Sequence, residues 1–178
     1  MVHRSGLAPV FVVVSGAPGS GKSTLAVPLA QALGLPLIAK DLIKESLMDS
    51  LGVADVEASR RLSHAAMATL FALAGASSPG AVLEGNFRRS QTGDLLSRLP
   101  RPVVEVFCRC DRIAAEARFR ARATSRHPGH FDEARAGTDL WDDEVNGPLA
   151  ERWPHMEVDT DSPVDIAAVV AFVDRFRT

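Results

Sequence analysis

Tyrosine is absent from the 178 residues, and phenylalanine and tryptophan together reach an aromatic share of only 6%. Few rings are therefore available to stack the bases of a single-stranded nucleic acid. The charge balance supplies no basic excess either: 20 Lys and Arg face 22 Asp and Glu, a net charge of -2. With no dense basic stripe, nothing in the total asks for a long polynucleotide or a membrane surface. Cysteine is scarce. Cys108 and Cys110 are the two present, and no further Cys or matched His pair completes a metal ligand set around them. They read as reduced thiols of an intracellular protein. Long apolar runs are missing too. Val10 to Val14 stops at Ser15-Gly16, too short for a signal-peptide core and far below the roughly 18 residues of a spanning helix. A soluble, cytoplasmic chain is expected, as a monomer or homodimer.

What is present suits one compact domain over residues 1–178: 46% of the residues are hydrophobic, enough for a substantial core. Apolar runs alternate with helical patterns. Strands are expected at 10–14, 35–39, 81–83, 103–107 and 156–159. Helices are expected at 23–33, 41–51, from a cap at Asp55 through Ala74, at 95–99, at 111–124 and at 164–176. Strands alternating with helices imply a parallel sheet covered on both faces. The stretch from Ser125 to Thr138, with Pro128, Gly129 and Gly137, breaks this rhythm. It reads as a mobile flap on the preceding helix, so the lid spans approximately 111–138.

Gly16-Ala17-Pro18-Gly19-Ser20-Gly21-Lys22-Ser23 fits G-x-x-x-x-G-K-[ST] at every fixed position, between an expected strand and an expected helix. Glycines let the backbone turn tightly and bring N–H groups to phosphate oxygens, and the helix N-terminus adds a favourable field. Lys22 is expected on the β- and γ-phosphates, Ser23 on Mg²⁺, and Thr24 on the α-phosphate side.

On the acceptor side, Asp41 follows the second strand at the carboxyl edge of the sheet, where ligands gather in open parallel sheets. It is the candidate general base for a substrate hydroxyl, and its position also suits a helix N-cap, a role compatible with the first. Lys40 and Lys44 are candidate anion-binding groups, and Lys44 alternatively a solvated helix residue. Glu84 ends the third strand as a candidate for Mg²⁺ or its waters, or an ion-pair partner. Asn86, Arg88 and Arg89 are candidate acceptor contacts. Arg118, Arg122 and Arg126 recur every four residues and so share a helical face. Guanidinium groups suit phosphate oxygens and the charge that spreads during transfer, so a closing lid that carries them excludes water. Arg122 is the first choice for catalysis, and a solvated cationic face paired with Glu116 is the competing reading. His127 and His130 shape the flap or touch substrate. His64 reads as a satisfied structural histidine, Trp141 and Trp153 as packing. The loop 159–163 is a candidate wall of an adenine pocket.

These motifs resemble the small AAA_33-type P-loop kinases grouped with chloramphenicol phosphotransferase and the kinase domain of phage polynucleotide kinase. The resemblance covers nearly the whole chain in element order and is specific at Gly16 to Ser23, Lys40-Asp41-x-x-Lys44, Glu84-x-Asn86 and Arg118/Arg122. It implies a three-layer α/β/α fold, a five-stranded parallel sheet in the order 2-3-1-4-5, an Arg-rich helical lid, Asp41 as general base and Lys44 as the anion-binding group. The chain departs from its relatives in having Lys44 for arginine, which keeps the charge and loses the bidentate fork, and Glu84 for aspartate. The expected activity is transfer of the ATP γ-phosphate, with Mg²⁺, to a hydroxyl of a small antibiotic, sugar or nucleoside. A polynucleotide 5′-hydroxyl kinase, a sugar-nucleotide kinase of the toxin type and a non-catalytic nucleotide-binding regulatory module are the alternatives.

Overall fold

The computed structural model describes residues 8–100, 102–123, 125–131, 140–149 and 153–177. β1 (Val10–Ser15) is followed by α1 (Lys22–Leu33), β2 (Leu37–Ala39), α2 (Lys40–Leu51), α3 (Val56–Ala76), β3 (Gly80–Glu84), α4 (Arg89–Ser97), β4 (Val103–Arg109), α5 (Arg112–Arg122), β5 (His155–Asp159) and α6 (Ile166–Asp174). All four strand pairings are parallel. The sheet order is β2-β3-β1-β4-β5, as the resemblance implied.

The alternation along β1 separates the two layers. Val10, Val12 and Val14 pack with Leu25 and Leu29 of α1 and Val169 and Val173 of α6. Phe11 and Val13 face the other way, onto Leu70 and Ala74 of α3, Phe87 and Leu96. β-branched residues on both faces of a central strand are what a sheet buried on both sides requires. β1 ends beside β3 and β4, with Val14 level with Glu84 and Ser15 level with Phe107. That register delivers the following loop to the carboxyl edge of the sheet. Among the described residues no helix is long and apolar enough to cross a membrane.

Several expected boundaries move. β2 begins at Leu37, because the Leu35 amide closes the end of α1 on the Ala30 carbonyl and Pro36 has no N–H to offer a ladder. The short helix expected at 95–99 is α4 at Arg89–Ser97 instead. Its first turn is capped from a distance: the Glu144 carboxylate accepts from the Ser90 amide at 2.9 Å. Asp55 caps α3 as expected, accepting from the Ala58 amide at 2.7 Å. Asp41 does not cap α2. Ala39 holds that position and Asp41 lies in the first turn. α5 ends at Arg122. Both cysteines are free, and burial pushes the Cys108 thiol up to about 12.

Candidate nucleotide and acceptor site

The loop from Gly16 to Gly21 runs between β1 and α1, wedged against α5 and β4. Gly16 has φ 136° and Gly19 φ 80°, a region side chains rarely adopt. A Cβ on Gly19 would lie 2.1 Å from the Ala115 carbonyl oxygen of α5, and one on Gly16 2.7 Å from that of Cys108. Gly21 caps α1 with no side-chain hydrogen bond, so the first-turn amides of α1 remain available to an anion. Within the loop, the Ala17 carbonyl accepts from the Ser20 amide at 3.1 Å and from Lys22 Nζ at 2.7 Å.

Lys22 is buried, with 6% of its surface exposed. Burial pushes its ammonium below the usual range, and the Glu84 carboxylate pulls the other way. Burial likewise pushes Glu84 up, against the pull of Lys22 and of the Ser23 hydroxyl that hydrogen-bonds it. The charges are desolvated and compensate each other incompletely, which favours a ligand that brings its own charge and metal.

Three cavities adjoin along the sheet edge. The smallest, about 60 Å³, is lined by Gly21, Lys22, Ser23 and Thr24 on one side and by Asp41, Glu84, Asn86 and Arg122 on the other. Gly21 and Thr24 also line a cavity of about 440 Å³ walled by Leu25, Pro28, Val164 and Ile166. This largely apolar slot suits a nucleobase, and Thr160 and Ser162 of the 159–163 loop line it. Asp41 and Asn86 also line a third cavity, of about 350 Å³, reaching to Lys44, Arg88 and Arg126. Ala17 and Ser20 turn their side chains away, into a separate cavity behind the loop. Pro18 lines the third cavity, while its carbonyl accepts from Trp141 Nε1 at 3.0 Å.

Asp41 sits under strong opposing influences. Burial works to raise its pKa, but Lys40, Arg126 and His130 outweigh this and hold the carboxyl down at about 2. Arg126 Nη2 donates to Asp41 Oδ2 at 2.6 Å, and Lys40 Nζ is 3.6 Å away. The same segment reaches α2 twice more, His130 pairing with Glu45 at 2.7 Å and His127 with Asp49 at 3.2 Å. Residues 41, 45 and 49 recur every four positions, so one face of α2 receives the segment. Residues 125–131, expected as mobile flap, are thus held on α2. Residues 132–138 of the expected lid lie outside the described residues.

The three lid arginines reach different places. Arg118 lines the apolar slot, its head tied to Asp161 at 3.2 Å and the Thr160 carbonyl at 3.3 Å. Arg122 lines the phosphate-sized cavity, its guanidinium 5.6 Å from the Phe119 ring centre. Arg126 joins Asp41 in the third cavity. Glu116 is taken up by Arg112 and Arg120, so the solvated cationic face exists on the other side of α5.

Lys44 is no solvated helix residue. Only 1% of it is exposed, and Nζ donates to Ser59 Oγ at 2.9 Å. Arg88 pairs with Asp142 while lining the third cavity, and Arg89 turns away to the Pro148 carbonyl at 2.8 Å.

The family model for the AAA domain (AAA_33) matches residues 11–140, which carry the loop, Asp41, Glu84 and α5. The chain belongs to this AAA domain family. A protein of Chloroflexus aurantiacus J-10-fl, assigned provisionally as a kinase, is 30% identical, with TM-score 0.79 over 95% of this chain and 98% of that one. A gluconokinase from Sinorhizobium meliloti 1021 shares the fold at TM-score 0.60 and 21% identity, covering 95% of this chain and 94% of its own. A sugar kinase from Janibacter sp. HTCC2649 does so at TM-score 0.56 and 19% identity, with coverage of 95% and 94%. Among curated proteins, the cytidylate kinase of Pyrobaculum aerophilum is 42% identical over 48 residues, 27% of this chain. The matched segment spans about a quarter of that relative's length, 26%. The AAA domain here therefore has the fold of P-loop kinases.

The AAA domain also places residues that the linear pattern did not mark. His64, expected as a satisfied structural histidine, is exposed on the wall of the third cavity, beside Arg60, Ser63 and Met67. Trp141 does pack, edge-on to Phe119 at 5.3 Å, but it also holds the phosphate loop through Pro18. A cavity-facing stripe on α3 was readable as residues 60, 63, 64 and 67 at helical spacing. No motif distinguished that face from the solvent face.

Proposed function

We propose that this protein is an ATP-dependent kinase that transfers the γ-phosphate to a hydroxyl of a small molecule. The observation that carries the reading is the position of Asp41 and Asn86, which line both the phosphate-sized cavity and the larger one behind it. Donor and acceptor then meet at Asp41. The adenine occupies the slot between Pro28 and Ile166, the phosphates follow Thr24 to Lys22, and the acceptor fills the 350 Å³ cavity.

Mg²⁺ fits the oxygen donors present, with the Ser23 hydroxyl as ligand and Glu84 acting on it or its waters, and bound there it would neutralise charge on the β- and γ-phosphates. Among the described residues no group of three or more His, Cys, Asp or Glu could hold a metal by itself, in keeping with an ion that retains waters and relies on the nucleotide. Lys22 releases the Ala17 carbonyl for the β- and γ-oxygens. Arg122 faces the moving phosphoryl group and stabilises its spreading charge. Asp41 takes the hydroxyl proton. With its carboxyl held at about 2 it is a weak base, so Arg126 must shift from Asp41 toward the phosphate for the proton to be accepted. Asn86 orients the acceptor.

The kinases named among the structural neighbours act on sugars or a sugar acid by name, which suits a hydroxyl acceptor. The cytidylate kinase match points instead to a phosphate acceptor, and the cations around the third cavity favour it as a second reading. A phosphate oxygen needs no deprotonation, so Asp41 separates the two. A screen of hydroxyl compounds for ATP-dependent mass gain tests the main reading. In it, Lys22→Ala should abolish transfer, and Asp41→Asn should cut turnover by about 10²-fold or more with nucleotide binding nearly intact. Unchanged turnover in Asp41→Asn would remove Asp41 from the mechanism. The volume behind Asp41 weighs against a regulatory module without transfer, for which a shallow cleft is expected.

A further inference from the structure

The third cavity is charged well beyond what a single general base requires. Among the described residues Lys40, Lys44, Arg60, Arg88 and Arg126 line it, against one carboxylate, that of Asp41. Four of these cations already have partners in the protein: Lys40 lies 3.6 Å from Asp41 and Lys44 donates to Ser59. Arg126 holds Asp41 at 2.6 Å and Arg88 holds Asp142. The α3 wall is different. Arg60, Ser63, His64 and Met67 line the cavity, and their spacing sets them on one helical face. Among the described residues the carboxylate paired with Arg60 is Glu57 at 3.7 Å, with side chains 60% and 64% exposed. So solvated a pair contributes little, and Arg60 can turn to another anion at small cost. Behind this wall, Lys44 binds Ser59, the residue before Arg60, and thereby fixes a buried positive charge where α2 meets α3.

We infer that the acceptor carries a permanent negative group, a carboxylate or a phosphate ester, and that Arg60 and His64 of α3 receive it while its hydroxyl faces Asp41. This rests on the kinase reading and narrows it. A neutral sugar would gain nothing from the concentrated positive field, and it would have to displace water from several charged groups without replacing those contacts. An anion gains at both stages, steered in by the field and held by a guanidinium whose planar fork matches carboxylate and phosphate oxygens. The volume sets the size. About 350 Å³ is near the lower end of the usual range of about 300–1,000 Å³ for ligand sites. That suits a monosaccharide-sized acid or ester.

The test measures ADP release by the intact protein with Mg-ATP and four acceptors: a six-carbon aldonate, a sugar monophosphate with free hydroxyls, their neutral parent sugar and a nucleoside monophosphate. One of the charged compounds should be turned over far better than the parent, and which one distinguishes carboxylate from phosphate. Arg60→Met should raise its KM about 10-fold or more with kcat within about twofold, and His64→Gln should raise it less. Both positions have solvated side chains, and circular dichroism checks that the variants are folded. Equal turnover of the parent sugar, or an unchanged KM in both variants, overturns the inference and leaves the kinase reading standing. If no acceptor releases ADP, the kinase reading fails. The anion site is then decided by NMR titration of the aldonate and the sugar phosphate into the protein. Movement of the His64 imidazole signals that Arg60→Met abolishes sustains the site, and absence of movement removes it.

Discussion

Asp41 and Arg126 are joined so closely that neither can be discussed alone. Burial would raise the Asp41 carboxyl, yet Lys40, Arg126 and His130 bring it to about 2. A carboxyl lowered on folding stabilises the native state above its ordinary pKa of about 4 and loses that contribution as pH falls toward 2. The side chain is 36% exposed, which screens the effect to about 1 kcal/mol. Urea titrations should therefore show a shallower loss of stability between pH 4 and 2 in Asp41→Asn than in the parent protein. Arg126→Ala should act on chemistry in two opposed ways. Removing the guanidinium lets the Asp41 carboxyl rise, shifting the acid limb of the kcat–pH profile upward, while the lost phosphate contact lowers the plateau by about tenfold or more. An acid limb that stays in place would separate Asp41 from the titration that governs turnover.

The stretch from Leu140 to Leu149 works as an element although it forms neither helix nor strand. Trp141 reaches Pro18 of the phosphate loop, Asp142 pairs with Arg88, Glu144 caps α4, and the Leu149 amide donates to both carboxylate oxygens of Glu105 at 2.9 and 3.0 Å. Glu105 is 1% exposed and also accepts from Ser15 Oγ at 2.5 Å, at the end of β1. One buried carboxylate thus ties this stretch to the strand that launches the phosphate loop. Glu105→Ala leaves a buried amide and a buried hydroxyl without their acceptor, a loss of about 1–3 kcal/mol for each group. Chemical denaturation should show that loss, and the KM for ATP should rise because the loop is no longer held from behind. Trp141→Phe keeps the ring against Phe119 and removes one donor. A loss of about 1 kcal/mol is expected, with a smaller rise in the same KM. An unaltered ATP KM in both variants would reduce the stretch to a packing role.

For the molecule as a whole, the sheet order sets what a nucleotide can do. β1 lies between β3 and β4, so the phosphate loop, Glu84 and the start of α5 converge from separate parts of the chain. A Mg-nucleotide at about 100 times its Kd should stabilise the fold by about 2.7 kcal/mol, or roughly 5–10 °C in Tm. Lys22→Ala should remove most of this shift, as differential scanning fluorimetry can read. The order of elements, the parallel sheet, the phosphate loop and Asp41 near its mouth were all legible in the linear chain. Each depends on contacts between near neighbours: β-branched runs, glycines at fixed spacing, a Lys-Ser pair opening a helix. The boundaries of α4 were not legible, because the Glu144 cap lies far along the chain. Nor was the dispersal of Arg118, Arg122 and Arg126 to three cavities, since spacing sets which helical face side chains share and not which cavities open along it. The amino-acid sequence alone therefore determined the fold class and the nucleotide loop. The tertiary structure alone decided which charges face the acceptor, because that depends on how α2, α3 and the 125–131 segment pack together, and no local pattern encodes packing between distant segments.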